Sequence, residues 1–369
     1  PALADARIRR FAAEVADAVS GLVQHAAGLV TPASPIGAIV ASAAVVAAGA
    51  GVTVGVATGA IPVPSSPFAG QPSPATATAW PRHHRIVKRR LLPYPDSYLG
   101  VYEAGTPGSY EPITSFGQTV GHAPNLALYY SGWGEPFQAT FARAARANHA
   151  FPVVQINPDK HASLAAIVDG HDDRYLLAFA DAVNAYGRNV VIGFGHEMNA
   201  DWYSWGWKSQ NPALFVEAWQ YIVRLFRSQG DLNVTWMWTI NVNTPGKTGP
   251  MGDWWPGADY VTWVGIDGYY DTAADTFASV FGPTIADVHT VAAGMPILIS
   301  ETAAAPPEST EAPQITGLFR GIRRRQILGF IWYDAPGRSN LTWRLEGNTP
   351  ATDAFRQAAE GYPSAAVGG

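Results

Sequence analysis

The chain has 369 residues, 47% of them hydrophobic and 14% charged, with 24 Lys+Arg against 29 Asp+Glu and a net charge of −5. That composition can bury a large core and excludes a chain disordered throughout. It also lacks the basic excess that a nucleic-acid binder needs to displace counterions from phosphates, and the absence of cysteine excludes disulfides and thiolate chemistry.

Residues 1–92 differ in character from the rest. Between 18 and 81 the only titratable side chain is His25. The stretch IGAIVASAAVVAAGAGVTVGVATGAIPV (36–63) is uncharged, rich in small residues and longer than the roughly 20 residues that cross a bilayer. It is expected to be a membrane span or an export signal. PVPSSPFAGQPSPATATAWP follows as a Pro/Ser/Ala linker. The cluster RHHRIVKRR (82–90) then reads as a solvated basic face at the domain edge. This organisation predicts an extracellular or cell-envelope protein, attached to the membrane through its N-terminal segment.

From 93 to 362 short apolar runs recur: YLGVYEAG from 98, NLALYYSGW from 125, FPVVQINP from 151 and NVVIGFGHEMN from 189. They continue as VTWMWTINVN from 234, VTWVGIDGYY from 261, PILISETAA from 296 and ILGFIWYDA from 327. Helical periodicity fills most of the gaps. The clearest case is PALFVEAWQYIVRLFRSQG (212–230), where Phe215, Trp219, Ile222, Val223 and Phe226 share a face and Gly230 stands where a helix end is expected. FQATFARAARAN, TIADVHTVAAG and ATDAFRQAAEG are predicted helices as well. Eight strands alternating with helices over this length predict a (β/α)8 TIM barrel, typically about 250 residues. The rival, an open doubly wound sheet, usually carries a G-x-G-x-x-G turn after its first strand, and GTPGSY does not match. Residues 363–369 are expected to be a flexible tail.

A barrel places its reactive groups where the strands end. The fourth run exits into GHEMNADWYSWGW (195–207). Spacing excludes a zinc helix of the His-Glu-x-x-His type, because no second imidazole follows His196-Glu197. The seventh run exits into Ser300-Glu301-Thr302, the fifth carries Asn241, the sixth Asp267 and Tyr269, and the eighth Trp332 and Tyr333. Glu197 and Glu301 each follow an apolar stretch, an expensive placement for a carboxylate that is neither paired nor used. Two carboxylates across one mouth are what glycosidic cleavage requires: one protonates the leaving oxygen, and the other attacks the anomeric carbon or activates water. Aromatic side chains beside them would cover the flat faces of sugar rings. Trp205, Trp207, Trp236 and Trp238 divide between core and mouth, and Glu103, Asp173 and Asp271 are not placed by sequence.

HEMNADWYSWG resembles the acid/base motif of glycoside hydrolase family 26, which contains many β-mannanases. SET at the end of the seventh run resembles that family's nucleophile motif, and GIDGYY resembles its sixth strand. The resemblance covers residues 93–362. It implies a retaining mechanism with Glu197 as acid/base and Glu301 as nucleophile, without metal or cofactor. It further implies Tyr269 hydrogen-bonded to the nucleophile, His196 and Trp202 lining the sugar site, and Trp332 as a platform beneath the ring to be cleaved. Asn241 and Asp267 complete the substrate-binding candidates. Many mannanases of the family carry Arg three residues before the His; here Gly193 stands in its place, and other members cleave mixed-linkage β-glucan or β-1,3-xylan. The expected partner is thus a polysaccharide or oligosaccharide, endo-cleaved by a monomeric catalytic domain. A non-catalytic carbohydrate-binding barrel would keep the aromatic platforms and lose a carboxylate.

Overall fold

The structure, a computed structural model, describes residues 91, 93–158, 162–230, 233–304, 308–336, 343–345 and 349–364. The predicted span at 36–63, the linker, the basic cluster and residues 365–369 of the tail lie outside the described residues. Among the described residues no helix is long and apolar enough to cross a membrane.

All eight predicted runs form strands: β1 (Tyr98–Glu103), β2 (Leu126–Gly132), β3 (Phe151–Asn157), β4 (Val190–Phe194), β5 (Val234–Asn241), β6 (Trp263–Asp267), β7 (Ile297–Thr302) and β8 (Gly329–Asp334). They pair in parallel in chain order and close into a barrel. At the seam, β8 runs beside β1 from Tyr98↔Gly329 to Glu103↔Asp334. Gly329 makes the seam close. Its φ is +152°, and a Cβ there would stand 1.7 Å from the Tyr98 carbonyl oxygen.

The helices of the outer ring are α1 (Glu111–Val120), α2 (Ala139–Ala147), α3 (Leu164–Val168), α4 (Asp173–Tyr186), α5 (Pro212–Ser228), α6 (Phe277–Val291), α7 (Glu308–Arg325) and α8 (Pro350–Ala359). Helix α5 shows why its sequence is helical. Asn211 caps it by accepting from the Ala213 N–H, Pro212 occupies the first turn, where no donor is needed, and the five apolar positions read from the periodicity are all buried. Gly230, at φ +82°, ends it. Helix α6 starts well before the predicted TIADVHTVAAG. Gly282-Pro283 reads as a breaker, but the Thr276/Ser279 capping box and the buried Phe277 and Phe281 carry the helix through Pro283.

Strand alternation divides the apolar residues into two cores. Leu126, Leu128, Phe151, Val153, Val191, Met237, Trp263, Leu298 and Ile331 pack together as the barrel floor, apart from the larger core beneath the helices. Leu91, on the leading side of the predicted domain boundary, is part of that floor, and its N–H reaches Thr235 Oγ1 at 3.4 Å. Each such side chain contributes about 1.5–3 kcal/mol when fully buried. One residue pair further up the strands the inward positions turn polar, with Gln155, Thr239 and Ser300, and the site begins there.

Candidate active site

Two local irregularities bring the carboxylates to the mouth. After β4 the chain turns through Gly195 and Glu197, both at φ +54°. For a glutamate this left-handed conformation costs about 1–3 kcal/mol and persists only where its surroundings enforce it. Here the Glu197 N–H is tied to the Thr239 carbonyl at 2.9 Å and the Trp207 N–H to the Met198 carbonyl at 2.8 Å; the Trp205 indole N–H bonds the His196 carbonyl at 2.9 Å. On β7 the pairing slips between Ile299 and Thr302. Such a bulge re-aims side chains, and two successive residues, Ser300 and Glu301, both reach site partners.

Glu197, 2% exposed, accepts from Asn241 Nδ2 at 2.5 Å and from the Trp202 indole N–H at 2.8 Å. Asn241 is itself locked to Asn199 by paired bonds of 2.8 and 2.9 Å. Glu301 accepts from the Tyr269 hydroxyl at 2.6 Å on one oxygen and from the Tyr130 hydroxyl on the other. Asp267 lies between the two glutamates without solvent access. Its Oδ1 takes the Ser300 hydroxyl at 2.5 Å, while Oδ2 has no partner. Burial first, and then the charges of Glu301 and Glu197, drive its carboxyl well above the ordinary range.

One oxygen from each of Glu197, Asp267 and Glu301 lies within 4.8 Å of the others. The set could hold a hard cation among oxygens. A proton on Asp267 relieves the same repulsion, in the direction burial drives it.

His196 stands behind Glu197, 4% exposed. With Nδ1–H donating to Asn157 Oδ1 at 2.8 Å, its Nε2 accepts from the Tyr203 hydroxyl at 3.1 Å. Burial lowers its pKa to about 3, so the ring is neutral and acts as a spacer. Trp202 is 38% exposed, and its ring faces the open mouth edge-on to Tyr203.

The predicted set is therefore brought together except for one member. Trp332 is not a platform. Alternation along β8 turns Phe330 and Trp332 outward and Ile331 and Tyr333 inward; Trp332 is fully buried against Phe355 of α8. The aromatics that do gather near Glu301 are Tyr333, stacked on Tyr102 at 4.7 Å, and Trp343, stacked on Tyr269 at 4.3 Å. His196, Asn241 and Asp267 are almost wholly buried, which leaves the lining of the open mouth to more exposed groups.

Tyr130, Tyr203 and Trp343 were missed by sequence. For Tyr130 a signal existed: it shares the inward parity of Leu126 and Leu128 on β2. Trp343 carries none, since it lies in a loop and arrives by chain return. Gly193 also finds its explanation here. A Cβ on it would meet Gln155 Oε1 at 1.9 Å, and Gln155 Nε2 donates to Thr239 Oγ1 at 2.9 Å, so Gln155 fills the space above the glycine. Of the unplaced acids, Asp173 accepts from the Tyr221 hydroxyl at 2.7 Å away from the mouth, and Glu103 pairs with Asp334.

Residues 172–298, from the start of α4 through His196-Glu197 and Asp267 into β7, match the family model described as "Glycosyl hydrolase family 26". Over that stretch, residues 172–298, the chain is similar to the family. Endoglucanase H of Acetivibrio thermocellus is similar, with 26% identity over 269 residues, covering 69% of this chain and 29% of the relative. A mannan endo-1,4-beta-mannosidase of Bacillus subtilis is 32% identical over 91 residues, covering 23% of this chain and 24% of the relative. The chain thus spans less than a third of the curated relatives it matches. Among solved structures, a family 26 β-mannanase from Bacteroides ovatus superposes with a TM-score of 0.55 at 15% identity, over 74% of this chain and 91% of that one, a likeness of fold.

Proposed function

We propose that the barrel is a retaining, endo-acting hydrolase of a β-linked polysaccharide such as β-mannan, with Glu197 as general acid/base and Glu301 as nucleophile. The observation that carries it is the pair of buried carboxylates from β4 and β7, with oxygens within 4.8 Å of each other. A close pair of about 5–5.5 Å suits covalent double displacement, whereas inversion needs a wider gap for water.

The surroundings suit those roles. Two tyrosine hydroxyls aim the oxygens of Glu301. Glu197 is aimed by the Asn241 amide and the Trp202 indole. In the first step Glu197 gives its proton to the glycosidic oxygen while a Glu301 oxygen bonds to the anomeric carbon and the C–O bond to the leaving sugar breaks. In the second, Glu197 takes a proton from water, the water oxygen bonds to the same carbon and the ester to Glu301 breaks. Each displacement inverts, so configuration is retained. Trp202 and the half-buried Tyr102, Tyr269 and Tyr333 supply surfaces for the sugar faces. A polysaccharide too large to enter a cell is met outside it, and we assign the residues ahead of Leu91 to delivery there.

A second substrate reading, β-glucan, is favoured by Gln155 filling the space where many mannanases place an Arg beside Gly193, and by the endoglucanase being the relative matched over 69% of the chain. Incubating the chain with soluble β-mannan, mixed-linkage β-glucan and β-xylans, and following reducing ends and their anomeric configuration by NMR, tests both. Release of β-anomers from mannan supports the first reading and from glucan alone the second. Binding without cleavage of any would make the barrel a carbohydrate-binding module, and α-anomers released first would exclude retention.

A further inference from the structure

A second buried acid pair lies apart from the Glu197–Asp267–Glu301 cluster. Glu103 ends β1 and Asp334 ends β8, register partners across the seam that closes the barrel. They are 8% and 6% exposed, and their side chains hydrogen-bond each other. Two carboxyl groups can share such a bond only when one of them carries the proton.

What the pair holds is the returning chain. Asp334 Oδ1 accepts from the Leu345 N–H at 2.7 Å. The Trp343 N–H bonds the Ala335 carbonyl and the Trp332 indole N–H bonds the Trp343 carbonyl, each at 3.3 Å. Residues 343–345 are thus fastened to the end of β8. From there the Trp343 ring stacks on Tyr269 at an interplanar angle of 18° and meets Tyr333 edge-on. Tyr269 is the residue whose hydroxyl bonds Glu301.

We propose that Glu103 and Asp334 are positioning residues that share one proton and thereby latch Trp343–Leu345 over the mouth, so that Trp343 holds Tyr269 against Glu301. The consequence for activity rests on the nucleophile role given to Glu301 above; the latch itself does not.

The charged and titratable groups around the pair set its direction. Arg344, on the latched segment, favours the ionised form of both. Tyr102, next to Glu103 on β1, has its own ionisation opposed by burial and by Glu301 and Glu103; the Trp332 indole and Leu345 N–H favour charge on Asp334. Burial outweighs Arg344 at Glu103, which is pushed up to about 9, and Asp334 to about 6. The shared proton is therefore held at neutral pH and lost as pH rises through about 9, when two adjacent charges repel.

Hydrogen–deuterium exchange of the segment containing Leu345, in the intact chain at pH 7 and pH 10 and each normalised to the intrinsic rate, tests this. In the unsubstituted protein protection falls at least ~10-fold at the higher pH, the change expected when a proton-dependent bond is lost across one unit beyond its pKa. In Glu103→Gln the amide donates to Asp334 at every pH, and protection stays flat. Asp334→Asn, whose amide accepts from Leu345 and donates to Glu103, gives the same flat profile and serves if Glu103→Gln does not fold. The kcat ratio between pH 10 and pH 7 rises in the same variants. Equal protection at both pH values in the unsubstituted protein, or a parallel fall in both variants, overturns the latch. Exchange needs no substrate, so a failure to cleave any glycan would remove the role of Glu301 and leave the latch standing.

Discussion

His196 is the most visible residue of the motif and the one whose chemistry the structure changes most. Its adjacency to Glu197 suggests a sugar contact, yet burial holds it neutral with a pKa of about 3. A base whose folded pKa lies below its unfolded value of about 6.5 contributes stability above pH 6.5 and loses it as pH falls toward 3. At about 1.4 kcal/mol per unit, this one group costs about 3 kcal/mol by pH 4. Asp267, with its pKa raised, works in the opposite sense: its contribution is greatest in acid and declines as pH rises above 3.8. His196→Gln removes the first effect, so its drop in Tm between pH 7 and pH 4 is smaller than in the unsubstituted protein. An equal drop would mean that the imidazole already titrates normally. The tryptophans separate in the same residue-by-residue way. Trp202→Ala, which removes an exposed ring and a donor to Glu197, lowers kcat/KM by about 2- to 13-fold through the ring alone, one stacking contact being about 0.5–1.5 kcal/mol, with little change in Tm. Trp332→Ala does the reverse, costing about 3–5 kcal/mol of stability; a large rise in KM at unchanged Tm would restore it as a sugar platform. The carboxylates were legible because a Glu closing an apolar strand stands out. The choice of Trp332 over Tyr333 as the platform was wrong, because parity along β8 is fixed only once the register is known.

Among the elements, β7 and β8 show where a regular pattern yields to closure and function. Plain alternation would send Ser300 inward and Glu301 outward; the slip between Ile299 and Thr302 turns both to the site, a feature that no sequence period announces. Gly329 is the complementary case, a glycine in a strand that closes the barrel against the Tyr98 carbonyl. Gly329→Ala cannot be relieved by rotating a side chain, because the obstructing atom is backbone, and it is expected to lower stability by more than about 3 kcal/mol, the size of the larger overpacking effects. A Tm within about 2 °C of the original would show that the seam relaxes freely. Helix α5 was readable in full because its cap, its periodicity and its final glycine agree. Helix α6 was truncated in sequence because Pro283 signals a break, which the capping box at Thr276 and the burial of Phe277 and Phe281 override.

At the scale of the molecule, eight apolar runs at regular spacing, each punctuated by helical periodicity, left little freedom beyond a closed parallel barrel, and the two glutamates fell at its mouth by chain order alone. What sequence could not supply was the returning chain after β8: Trp343 approaches Tyr269 across a loop, and the Glu103–Asp334 pair joins the first strand to the last. Nor could it foresee that Leu91 belongs to the barrel floor, since one apolar residue beside a basic cluster carries no period. The most direct test of the two-glutamate mechanism uses Glu197→Ala with a dinitrophenyl β-glycoside, whose leaving group departs without a proton. Formation of the intermediate then stays fast while its hydrolysis stalls, and mass spectrometry of the digested protein should find the glycosyl group on the peptide containing Glu301, attached to that residue. A label on any other residue, or turnover with inversion and no adduct, would contradict it.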